Sequence, residues 1–190
     1  MKSPASTLVD YSLTAKVFHW LTAAIFVIQF PLGLVMVQMA PGAASDFIFS
    51  LHKSTGFFVL WLALLRLFYR LRSDIQRRES RLAGWHYRGT YIAHMTLYAL
   101  LVLVPLTGWL GVSAMNSLDV FGIVKLPSIL GENGGRAIWL LWAHALFAFG
   151  LIALVVIHVG FAMQGYLDGP AESAEEPDAP PPGSAGMPVR

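Results

Sequence analysis

Six histidines punctuate this 190-residue chain, and five of them fall in or at the edges of apolar blocks. Imidazole binds metals and carries protons near neutral pH, and ionisable residues inside apolar spans are rare and usually functional. The stretch 142–161, WAHALFAFGLIALVVIHVGF, is long enough to cross a bilayer and still holds His144 and His158. Fourteen residues of helix make nearly four turns, so the two rings face almost the same way, about 21 Å apart along the axis. His52 and Arg66 are separated by the same interval. One helix thus offers a ligand to each of two stacked sites, and another sets a guanidinium one layer below a histidine.

The elements that carry these groups follow from composition. Hydrophobic residues make up 56% and charged residues only 13%, against about 25% charged in soluble domains, and the mean hydropathy is +0.60. Too few polar groups exist to cover a water-facing surface. The apolar residues gather into four blocks near 17–39, 47–71, 90–112 and 137–163, each of bilayer-spanning length. The expected fold is an all-α integral membrane protein, a four-transmembrane-helix bundle occupying 17–168. Pro31 and Pro105 lie inside two blocks, which spanning helices tolerate when neighbours satisfy the freed backbone. Residues 1–16 read as a polar N-terminal segment, and the first block is too long for a signal-peptide core, so a retained span is expected. The stretch 169–190, acidic and rich in proline, reads as a disordered tail.

Charge sets the orientation. Arg66, Arg70, Arg72, Arg77, Arg78, Arg81 and Arg88 cluster around the second connection, whereas the other connections offer Lys53, Lys125 and Arg136. The positive-inside rule makes the arginine-rich loop cytoplasmic, and four spans then put both termini there as well. His52 and His144 fall in an outer layer, His19, His94 and His158 in an inner one, and His86 in the cytoplasmic connection.

Zinc prefers four tetrahedral ligands, but each layer offers two or three histidines with no cysteine anywhere in the chain. The same absence excludes disulfides, iron–sulfur clusters and covalent haem attachment. Haem iron needs one ligand above and one below the macrocycle, and an apolar four-helix core accommodates it. The bundle is therefore expected to enclose two b-type haems. His52 and His144 pair in the outer layer. In the inner layer spacing leaves His158 to pair with either His19 or His94. Arg66 could reach a haem propionate or extend to headgroups as Arg70 and Arg72 would. Lys53 is an outer-face candidate for attracting an anionic donor, although Asp46, Asp119 and Glu132 offset the charge in the same loops. Gly56 and Gly150 could admit a macrocycle or a neighbouring helix. Trp20, Trp85, Trp109, Trp139 and Trp142 read as an interfacial belt.

The fragments FHWL, LHKSTG, HMTLYALLVLVPLTGWL and WAHALFAFGLIALVVIH open or fill the four spans. Together, over about residues 11–166, they resemble the prokaryotic cytochrome b561 family of four-helix dihaem inner-membrane proteins. The resemblance implies His19 and His158 as ligands of the inner haem and His52 and His144 as ligands of the outer one. It implies that His94 is not an iron ligand but serves a propionate, a quinone or proton uptake, and that Arg66 matches a family arginine. It also implies electron transfer between the periplasmic side and quinone, with one branch resembling a superoxide:ubiquinone oxidoreductase. The other expectation is an electron-transfer subunit serving a periplasmic dehydrogenase or other redox protein, with the 113–136 connection and its Gly131, Gly134 and Gly135 as a docking surface or cover. The partners expected are membrane lipid, ubiquinone, and superoxide or a periplasmic redox protein. No nucleic-acid partner is expected, and a homodimer is allowed.

Overall fold

The computed structural model describes residues 12–72 and 85–167. Residues 1–11 of the N-terminal segment, the loop arginines Arg77, Arg78 and Arg81, and the acidic tail lie outside the described residues, whereas residues 13–16 of that segment already belong to the first helix. Four helices account for most of the rest: α1 Leu13–Met36, α2 Ala43–Arg72, α3 Trp85–Ala114 and α4 Gly134–Leu167. All four contain segments long and apolar enough to cross a membrane. The fold is the all-α membrane bundle that the apolar blocks predict. Between α3 and α4 sits a small hairpin, β1 Asp119–Val120 paired antiparallel with β2 Val124–Lys125.

Except at the end of α1, which stops at Met36 short of its block, the helices run past the apolar blocks because their ends are fixed by hydrogen bonding rather than by hydropathy. Ser12 caps α1, its hydroxyl accepting from Ala15 N at 3.2 Å. At the start of α4 the Asn133 side chain accepts from Arg136 N at 2.9 Å. Both satisfy backbone donors that would otherwise be orphaned at a helix N-terminus. The last connection is correspondingly shorter than its glycines suggest, since Gly134 and Gly135 belong to α4. His86 and Arg88 likewise belong to α3 and not to a connection. α3 closes with Asn116 in the left-handed region, φ 55°. Asn116 N bonds to Ser113 O and Ser117 N to Val112 O, a Schellman-type ending.

The described residues up to Val155 form one compact unit, and those from Val156 onward belong to a second. Within the first, α1 packs on α2 and α2 on α3. α4 reaches all three neighbours: Phe149 meets Phe30 edge-on at 5.7 Å, His144 meets His52, and Leu141 lies over Gly111. Of the second unit, the described part is the end of α4, which carries His158. The hairpin is docked on α2: Phe121 N donates to the buried Ser54 hydroxyl at 2.8 Å, and the Phe121 ring lies 6.0 Å from Phe58.

Candidate functional site

His52 lies in α2 and His144 in α4, their ring centroids 6.0 Å apart and their planes at 88°. Each ring is held the same way by a different helix. His52 Nδ1 lies 3.2 Å from the carbonyl oxygen of Gln29 in α1, and His144 Nδ1 lies 2.8 Å from that of Val104 in α3. A carbonyl can only accept, so both Nδ1 atoms must carry the proton, which leaves the Nε2 lone pair available on each ring.

One helical turn beyond each acceptor is a glycine on which the ring rests. A Cβ on Gly33 would come within 3.0 Å of His52 Cε1, and one on Gly108 within 3.0 Å of His144 Nδ1. The supporting sequences are Gln29-Phe30-Pro31-Leu32-Gly33 and Val104-Pro105-Leu106-Thr107-Gly108. Both therefore set an acceptor carbonyl, a proline and a glycine in the same order along one turn. The carbonyl has a second lone pair to give because its helical bond uses only one.

This donor set suits an iron held between two imidazoles. The two rings lie close enough, 6.0 Å between centroids, for both to approach one shared group. Fixing the Nδ1 proton on an acceptor is how ligating histidines are oriented and made more basic. Among the described residues no three His, Cys, Asp or Glu side chains converge as a metal cage requires. Trp109, next to Gly108, turns its indole Nε1 into the protein with no acceptor among the described residues. A buried donor of that kind calls for an acceptor oxygen, which a haem propionate would supply.

A second cluster gathers His19 from α1, Arg66 from α2 and Tyr98 from α3. Arg66 Nη2 lies 2.9 Å from His19 Nδ1, Nε donates to the Tyr98 hydroxyl at 3.3 Å, and the guanidinium stands 5.4 Å from the Tyr98 ring. Arg70 approaches the same ring to 5.3 Å and is 7% exposed, so it packs inside the bundle instead of extending to headgroups. Guanidinium only donates, so His19 accepts at Nδ1, and a neutral ring then carries its proton on Nε2. His19 is thus held in the opposite tautomer to His52 and His144. His94 is one turn before Tyr98 on α3 and partly buried.

Lys53 is not a free surface cation. Its side chain is only 5% exposed and pairs with Asp119 at 2.9 Å, and it donates to Ser117 Oγ and to the Ser117 carbonyl. It ties the last connection to α2 one residue after His52. Gly56 makes room for the Gln29 amide, 3.2 Å from where its Cβ would lie, whereas nothing approaches Gly150. Of the belt tryptophans, Trp20, Trp139 and Trp142 are exposed, but Trp109 packs edge-on against Phe57 at 5.7 Å. The type and spacing of the histidines do not pick out Gln29, Gly33, Tyr98 or Gly108, which the structure places around these rings. Gln29, an uncharged polar residue deep in an apolar block, carried the clearest signal.

Comparison with known proteins points one way. The family described as prokaryotic cytochrome b561 has a sequence model that matches residues 10–165. A cytochrome b561 homolog 2 of Escherichia coli strain K12 is 27% identical over 164 residues, covering 81% of this chain and 83% of that protein.

Proposed function

The chain belongs to the prokaryotic cytochrome b561 family, and on that premise we propose that it moves electrons across the bacterial inner membrane, from a donor at the periplasmic face to ubiquinone, with two haem b groups bound. The observation that carries the reading is the His52–His144 pair, with perpendicular rings 6.0 Å apart and both Nδ1 atoms on main-chain carbonyls. These two would hold the haem nearer the periplasm. The family resemblance assigns His19 and His158 to the other. For His19 to offer Nε2, Arg66 must release Nδ1, and pairing of Arg66 with a propionate would bring that about. When bound, haem would supply a reversible one-electron couple, and the two imidazoles would hold it.

The chain's own residues do the rest. Gln29 and Val104 hold the imidazole protons on Nδ1, Gly33 and Gly108 let the rings lie against their supporting helices, and Lys53 fixes the last connection over this end of α2. Arg66 and Arg70 bring positive charge where propionates or a quinone taking up electrons would be stabilised, and His94, one turn before Tyr98 on α3, is the candidate for proton uptake. The donor proposed is superoxide. Two superoxide ions give one electron each and leave as dioxygen, while ubiquinone takes two electrons and two protons.

A second reading, an electron-transfer subunit for a periplasmic redox protein, is favoured by the last connection. Lys53 is neutralised by Asp119, so it offers an anion little attraction, while Ile123 and Val124 stand 84% and 58% exposed on the hairpin. Rapid mixing of the oxidised protein with superoxide, with and without a ubiquinone analogue, separates the two. Fast haem reduction, reversed by the quinone, supports the superoxide reading. A normal haem spectrum that superoxide leaves unchanged sinks it in favour of a protein donor.

A further inference from the structure

Gln29 meets His52 and its helix at three points. Its main-chain carbonyl accepts from His52 Nδ1 at 3.2 Å, its side-chain Nε2 donates to the His52 carbonyl at 2.6 Å, and its Oε1 accepts from the Thr55 hydroxyl at 2.5 Å. Gly56 leaves space for that amide. A leucine at position 29 would hold two apolar helices together without the two side-chain bonds. An amide inside a membrane span is costly unless bonded, and paired polar groups in such a place add little net stability. The side-chain bonds therefore call for a role beyond packing. Their geometry supplies one, since they fix α1 against the main chain of the residue whose ring α1 also supports. His144 has the main-chain acceptor of Val104, but a valine side chain has no group with which to make such a clamp.

We propose that Gln29 is a positioning residue for His52. By pinning α1 to the His52 backbone, it sets the length of the Nδ1–H···O bond, and through that bond the basicity of Nε2 toward iron. The inference rests on His52 being a haem ligand. A more basic ligand favours ferric iron, so loosening the clamp raises the midpoint potential of the haem that His52 carries and leaves the other unmoved.

The test is haem quantification and optical redox titration of the full-length holoprotein as wild type, Gln29→Leu, Thr55→Val, Gly56→Ala and His52→Ala. Expected is full haem content in the first three variants, with one of the two b-type components shifted upward, the same one in each and the one missing from His52→Ala. The inference is overturned if Gln29→Leu keeps both haems with both midpoints unchanged. It is also overturned if the shift falls in the component that survives His52→Ala, or if all three variants simply lose haem. Should Gln29→Leu alone fail to assemble, Thr55→Val and Gly56→Ala decide. If His52→Ala retains both haems, the ligand assignment itself falls and takes this inference with it. If His52→Ala loses one haem and the clamp variants move nothing, only this inference falls.

Discussion

Gly33 and Gly108 are the positions where one added methyl group should matter most. A Cβ at either would press on the supported imidazole at 3.0 Å, inside the distance that packed atoms accept, and a ring that yields stretches its Nδ1–H···O hydrogen bond. Gly33→Ala and Gly108→Ala are expected to weaken retention of the same single haem, read as a loss of up to half the haem per chain while the second b-type signal persists. Unchanged haem content and spectrum in both would show that the glycines carry no such constraint. At this scale the sequence was half legible. Histidines announce themselves by type and spacing, but their acceptors are main-chain carbonyls, which any residue can provide. No side-chain identity marks Val104 as a partner of His144. Gln29 could have been singled out, because polarity inside an apolar block always needs a reason.

The hairpin element makes two predictions of its own. Ser54 is fully buried and its hydroxyl accepts from the amide of Phe121, a bulky residue held at φ 50°. Ser54→Ala leaves that amide unmatched, at a cost of about 1–3 kcal/mol, to be seen as a lower melting temperature in detergent. The Lys53–Asp119 pair adds a pH dependence. Hydrogen bonding to Lys53 holds the Asp119 carboxyl below its ordinary 3.8, so the tie is at full strength above that value and is lost as pH falls through the lowered one. With no native cysteine in the chain, a spin label on Ile123→Cys reports hairpin motion alone. Its mobility should rise only in strong acid, below about pH 4, and should already be high at neutral pH in Asp119→Asn. Equal mobility in both proteins across the range would count against the tie. Hydropathy alone could not locate this element or the true helix ends. Asn133, Ser12 and the Asn116 turn act through hydrogen bonds in polar sequence, where an apolar pattern is silent, and so α4 begins earlier than its block.

For the molecule as a whole, the histidines should sort into sets. His52→Ala and His144→Ala are expected to remove one and the same haem, His19→Ala and His158→Ala the other, and His94→Ala neither, by haem content and optical spectrum. Loss of a haem in His94→Ala with retention in His19→Ala would overturn the sorting. The four spans were readable because a bilayer demands long apolar runs, and the closeness of His52 and His144 because the topology set by charge puts both at one depth. The contact of His19 with Arg66 was not, since matched spacing along α2 says nothing about which neighbour on α1 the guanidinium meets.

Both halves of the repeated support also have an order in time. Gln29, Gly33 and His52 are translated early, so the first ring can find its carbonyl and glycine once α1 and α2 lie side by side. The Val104–Gly108 support stands ready with α3, but its ring arrives only with α4, the last helix made. On the proposed ligation, a nascent chain ending before α4 carries one oriented imidazole and no axial mate. The two rings and both of their supports are therefore present together only once α4 has been made.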